Sequence, residues 1–207
     1  MATTTRAPAD ACSLLDADHR NVKKLFKAFE PLAESKAKSA PAKRRELANQ
    51  ICLELTVHAQ IEEEIFYPAL REVIKEEDLL DEAEVEHASA KDLIAQIQEG
   101  DETDPKWCAK VIVLGEYIDH HVKEERNEIF VKARAAKKLD LVTMRDQLQA
   151  RKEELMAEMQ TTALIAGDDD VASVAAAWTP RDILVVGRFF LVSNASRRPA
   201  PTPFLTR

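Results

Sequence analysis

Two stretches decide the reading of this chain: HAQIEEEIFYPAL, residues 58–70, and HHVKEERNEIF, residues 120–130. Each holds a histidine followed four residues later by a glutamate, His58 with Glu62 and His121 with Glu125. On a helix that spacing puts both side chains on one face, roughly 6 Å apart along the axis. The residues upstream show which face it is. Ile51, Leu55, His58 and Glu62 form one stripe, and Leu114, Ile118, His121 and Glu125 repeat its spacing. Two apolar residues followed by His and Glu describe a buried face that turns polar part-way along. A buried carboxylate is costly unless it is paired or binds a metal. Two such carboxylates facing each other repel, or one takes up a proton. A pair of bound cations removes the problem: imidazole suits iron, zinc or copper, and carboxylates bridge two ions.

Working outward, three more histidines remain. His120 has Glu124 four residues on, but its stripe runs through Val113 and then Glu116 or Tyr117, which is more polar, so His120 reads as a rim residue. His19 lies in LLDADHRNVKKLF with Leu15, Val22 and Phe26 on its face. His87 lies in EVEHASAKDLI with Leu80, Ala83 and Ile94 on its side. Either one alone would more often be a core or boundary histidine. With two His–Glu stripes elsewhere, four inward histidines on four helices are better explained as converging ligands. The neighbouring acids Glu63, Glu64, Glu124 and Glu128 read as solvated, with one or two in contact with the ligands.

The rest of the chain supports a helical frame. Of 207 residues only 4 are glycine, and Ala, Leu, Glu, Lys and Gln dominate up to about residue 160. The pattern predicts helices over about 10–34, 42–74, 79–98 and 105–137, with a fifth over about 139–159. Pro31 and residues 35–41 mark the first end, and Pro68 should kink or close the second helix. Asp104-Pro105 starts the fourth as a cap followed by proline. Short connections imply an all-α, up-down-up-down four-helix bundle. The bundle domain is expected over 10–160, and residues 161–207 as a poorly ordered or loosely docked tail without a part in the chemistry.

Several classes are disfavoured. The net charge of −8 argues against a nucleic-acid partner. Three cysteines with no C-x-x-C spacing argue against a disulfide framework or a cysteine zinc site, and fit a reducing, cytoplasmic setting. No apolar signal core and no stretch of 18 or more apolar residues is present, so no transmembrane segment is expected. A phosphate-binding glycine loop and a nucleophilic triad are lacking.

These pieces resemble the hemerythrin family, the HHE cation-binding domain, over about residues 10–137. The match rests on DHRNVKKLF around His19, HAQIEEEIFYPAL from His58, EVEHASAKDLI around His87 and HHVKEERNEIF from His120. A minor departure is Phe130-Val131, where many relatives have phenylalanine-proline. The resemblance implies a centre of two non-haem irons. His19, His58, His87 and His121 would be terminal ligands, and Glu62 and Glu125 bridging carboxylates. Oxygen-carrying members have a further histidine four residues from the one on the third helix. Here His87 has Lys91 on one side and Ala83 on the other, which argues against reversible oxygen transport. It also leaves coordination positions open to water, a nearby carboxylate or a substrate. The expected role is therefore response to oxygen, peroxide or nitric oxide, or iron handling, with a small diatomic or peroxide ligand at the metal. An iron-sensing module without catalysis uses the same ligands. A ferritin-like oxidase ranks below both, because that class carries two E-x-x-H motifs and only Glu84–His87 is present.

Overall fold

The structure, a computed structural model, describes residues 9–166; the expectation of a loosely ordered tail falls, from residue 167 on, outside the described residues. Helix α1 spans Ala11–Ala33 and α2 spans Ala40–Ile61. A π-helical turn over Glu62–Phe66 joins α2 to a short α3, Tyr67–Arg71. Helix α4 spans Glu77–Glu99 and α5 spans Pro105–Glu124. A second π turn, Glu125–Ile129, leads into α6, Phe130–Ala135, and α7 follows over Leu141–Ala166. No strand occurs among the described residues.

Local sequence accounts for the helix ends. Asp104 caps α5 by accepting from the Lys106 N–H at 2.9 Å, with Pro105 in the first turn. Pro31 lies inside α1 rather than ending it: it removes one donor near the last turn, and the helix closes two residues later. Helix α4 stops at Gly100, where a side chain would collide with Trp107, since an added Cβ would lie 2.6 Å from its Cδ1.

Helix α1 packs on α2 and α5, and α4 packs on α5 and α2, which closes a four-membered ring. The links between these helices are short, so chain neighbours run antiparallel. The fifth helix, whose packing the sequence left open, joins the core through Met144, Leu148 and Leu155. The apolar interior falls into two clusters. One holds Leu15, Val57, Ile61, Phe66, Leu80 and Phe130 together with the α7 residues. The other holds Val22, Phe29, Ile51, Leu55, Ile94 and Trp107. Polar side chains described below separate them. Among the described residues no helix is long and apolar enough to cross a membrane.

Asp10 provides a check on the frame that is independent of the site. Its carboxylate accepts from the Ser13 N–H at 2.7 Å, capping α1, and from Arg134 of α6 at 2.9 Å. Burial works against ionisation, but Arg134 and Ser13 together hold the carboxyl down, at about 2. Asp10→Ala should cost about 1 kcal/mol at neutral pH. Because the folded-state pKa is depressed, this contribution is present above the unfolded value near 3.8 and fades as pH falls through about 2. Denaturant unfolding of wild type and variant at pH 7 and near pH 2 measures it. A difference that persists unchanged at the lower pH would contradict the assignment.

Candidate metal centre

The two His–Glu stripes run as the spacing predicts as far as the glutamates, and then each helix changes register. The Tyr67 N–H donates to the Glu62 carbonyl, and the Phe130 N–H to the Glu125 carbonyl, five residues back instead of four. Each π turn thus absorbs one extra residue. The consequence is that Glu62, Phe66, Tyr67 and Leu70 are all buried, as are Glu125, Ile129, Phe130 and Ala133. In a continuous α-helix the residues five after each glutamate, Tyr67 and Phe130, would point about 140° away from it. Pro68 alone does not cause the first π turn, because Val131 holds the corresponding place after the second, which forms all the same. The sequence predicts a kink or a helix end at Pro68, and not a π turn ahead of it.

The six residues singled out by spacing meet in one layer between the apolar clusters. His19, His58, His87 and His121 are each 4–5% exposed, and Glu62 and Glu125 are fully buried. All four imidazoles aim Nε2 at the middle. His19 Nε2 lies 2.8 Å from His58 Nε2, and His87 Nε2 lies 3.2 Å from His121 Nε2. Glu62 Oε1 is 3.2 Å from His58 Nε2, and its Oε2 is 3.4 Å from His87 Nε2. Glu125 Oε2 is 3.2 Å from His19 Nε2 and 3.9 Å from His121 Nε2. Each glutamate thus stands between two histidines. His120, by contrast, exposes 63% of its side chain, beside Glu86 and Glu124.

Behind the imidazoles stand carboxylates that spacing did not reveal. His87 Nδ1 is 3.0 Å from Glu63 Oε1, and His121 Nδ1 is 2.8 Å from Glu86 Oε2. His58 Nδ1 faces Asp18 Oδ2 at 3.7 Å. Each carboxylate in turn has a basic group behind it. Lys91 donates to both oxygens of Glu63, Lys152 donates to Asp18 at 2.6 Å, and His120 lies 3.4 Å from Glu86. Asp18 precedes His19 and Glu86 precedes His87 in the chain, yet each faces a histidine of another helix, which adjacency in sequence does not show. Of the four neighbouring acids expected to be solvated, with one or two touching the ligands, Glu63 is one that does touch: it is half-buried and lies against His87 and Lys91 of α4.

The charges are in tension. Burial and the nearby Glu62 carboxylate push the Glu125 carboxyl well above the usual range. Glu62 goes the other way: burial opposes ionisation, but the His58 and His87 imidazoles hold it well down. Proximity thus drives the two carboxyls apart, Glu125 toward its neutral form and Glu62 toward its charged form. His58 is raised to about 10, with burial opposing and Glu62 and Asp18 prevailing, while burial and His58 push His19 down to about 2. The Tyr67 hydroxyl donates to Glu125 Oε1 at 3.3 Å and is held protonated by burial and that carboxylate.

This layer fits metal ions better than it fits itself. Both oxygens of Glu62 and one of Glu125 are buried without an aligned hydrogen bond among the described residues. Native proteins seldom leave such atoms unmatched. The donors fall into two sets, His19, His58, Glu62 and Glu125 in one and Glu62, His87 and His121 in the other, with ligand atoms in each within 4.8 Å of one another. Glu62 belongs to both. A small cavity with apolar walls from Val22, Leu55, Ile94 and Ile118 opens onto the four histidines. The lone E-x-x-H motif does not take part through its acid, since Glu84 points outward and pairs with Arg71 at 2.8 Å.

Comparison with known proteins agrees with this geometry. The sequence profile of the hemerythrin HHE cation binding domain matches residues 10–133. A solved hemerythrin HHE cation binding domain-containing protein from Mycobacterium kansasii superposes with a TM-score of 0.64, covering 82% of this chain and 99% of that one at 20% identity. That likeness speaks for the fold. A DNA nickase from Nostoc sp. (strain PCC 7120) is 32% identical over 117 residues, 56% of this chain. The aligned part is 31% of that longer protein, so the chain spans under a third of it.

Proposed function

We propose, from the premise that this chain belongs to the hemerythrin HHE cation binding domain family, that it binds two non-haem iron ions and uses them in oxygen, peroxide or nitric oxide response, or in iron handling. The observation that carries this reading is the set of three unmatched carboxylate oxygens of Glu62 and Glu125 among four converging imidazole nitrogens. His19, His58, His87 and His121 would be terminal ligands, and Glu62 and Glu125 would bridge. When bound, an iron pair supplies redox chemistry and a position for a small ligand. The chain's own groups do the rest. The apolar walls of the cavity limit water beside the histidines, and the Tyr67 hydroxyl keeps a proton at Glu125 Oε1. Mixed imidazole and carboxylate donors favour iron over zinc. Three free buried cysteines fit a reducing, cytoplasmic setting.

Nicking belongs to the longer relative, and we do not extend it to this chain. With a net charge of −8 the chain offers little to neutralise phosphates. A second reading, an iron sensor without turnover, uses the same ligands.

Anaerobic titration of the metal-free protein with iron(II), followed by metal analysis, should give about two irons per chain. Optical spectra before and after dioxygen then separate a reactive centre from an inert one. Uptake of a single zinc with no affinity for iron would sink the di-iron reading.

A further inference from the structure

Of the three carboxylates behind the imidazoles, the one behind His58 is built differently. Glu63 and Glu86 already touch their histidines, at 3.0 and 2.8 Å. Asp18 Oδ2 and His58 Nδ1 face each other at 3.7 Å, and both atoms are buried without any hydrogen-bond partner among the described residues. Each is thus the other's natural partner, one short movement away. The other oxygen of Asp18 is gripped by Lys152 at 2.6 Å, a contact in which both side chains are largely buried, 18% and 13% exposed. Lys152 belongs to α7, which begins at Leu141, beyond the residues the family profile matches.

We propose that Lys152 is a positioning residue for the metal pair, reaching from the fifth helix through Asp18 to His58. The inference rests on the di-iron reading above. An imidazole that offers Nε2 to a metal carries its proton on Nδ1, and that N–H must find an acceptor. In the structure His58 Nε2 leans on His19 Nε2 at 2.8 Å. When Nε2 engages a cation instead, Nδ1–H needs Asp18 Oδ2. Lys152 keeps that oxygen in place, since an aspartate held only at its backbone can swing toward water. The fifth helix thereby acts on one side of the centre. His87 and His121 have their own carboxylates, Glu63 and Glu86, and those do not depend on α7.

A helix-docking ion pair and a positioning residue make different demands on the metal. The test is cobalt(II) titration of the full chain, read optically, for wild type and four variants: Lys152→Met, Lys152→Arg, Asp18→Asn and Arg145→Met. Arg145 lies on α7 and among the described residues pairs with its neighbour Asp146 alone, so it serves as the control. Wild type should bind two ions in resolvable steps. Lys152→Met and Asp18→Asn should each weaken one step by about 10-fold or more and leave the other alone, as expected when an outer partner of a ligating histidine is lost. Lys152→Arg should restore most of the affinity, and Arg145→Met should behave as wild type. Two undisturbed steps in Lys152→Met overturn the proposal. So does equal weakening of both steps together with a lower melting temperature, which would mark Lys152 as a docking contact only. A wild-type chain that takes up no second ion fails at an earlier point and overturns the di-iron reading itself.

Discussion

Glu125→Ala should leave a folded chain that retains little or no iron at either position. Glu125 is fully buried, and its Oε2 stands 3.2 Å from His19 Nε2 and 3.9 Å from His121 Nε2. Removing it takes a donor from the His19, His58, Glu62 set and, in the bridging role proposed above, from the other ion too, leaving two cations with less negative charge between them. Glu62→Ala should be as damaging, because Glu62 belongs to both donor sets. Glu124→Ala should be mild, since that side chain contacts the exposed His120. The isostere Glu125→Gln separates binding from folding. Burial and the Glu62 carboxylate push Glu125 toward its neutral form in the metal-free chain, so an amide there removes little favourable charge. Metal-free Glu125→Gln should melt at or above the wild-type temperature while still failing to retain iron. In wild type each ion at 100 times its dissociation constant adds about 2.7 kcal/mol of stability, roughly 5–10 °C in melting temperature at this size. That increment should vanish in both variants. A metal-free Glu125→Gln that melts much lower would assign the residue a structural role.

The adjacent histidines of α5 give the second large contrast. Neighbouring positions on a helix point about 100° apart, and the structure buries His121 to 4% while leaving 63% of the His120 side chain exposed. His121→Ala should remove an imidazole donor from the Glu62, His87, His121 set. Loss of one ion per chain is the expected result, with the optical spectrum reduced accordingly. His120→Ala should retain both ions, because its only route to the centre runs through Glu86, which still reaches His121 Nδ1 at 2.8 Å without it. Iron analysis of the two purified variants decides. Loss of iron from His120→Ala with retention in His121→Ala would mean that α5 is rotated from the register described.

How much of this was legible beforehand depends on the kind of feature. Periodicity located the four bundle helices and α7, because apolar residues at helical spacing declare a buried face whatever surrounds it. The repeated stripes placed His58, Glu62, His121 and Glu125 inward for the same reason. His19 and His87 were reachable only by counting helices, since neither has a glutamate four residues on. Asp18, Glu63 and Glu86 were not legible as contacts. Each supports a histidine on a different helix, and such pairings depend on how helices are rotated against one another. Lys152 was further out of reach, since its partner lies 134 residues away. The π turns escaped because a register change of one residue leaves no compositional trace, and Pro68 drew attention to a cause that the second turn, at Val131, does without.

Those two turns also relate the two halves of the bundle to each other. A π turn is what an α-helix becomes when one residue is inserted and the packing downstream is kept. Here the insertions fall at Glu62 and Glu125, each four residues after a ligand-type histidine, and each is followed by a buried aromatic, Tyr67 and Phe130. The helices before them also correspond, with Asp18-His19 in α1 and Glu86-His87 in α4. Each half of the bundle is therefore a helical hairpin carrying the same acid-histidine pair, the same His–Glu stripe and the same inserted residue. The two hairpins thus meet the centre as matched halves, each turning its helix at the same place, and Lys152 of α7 reaches into one of them through Asp18.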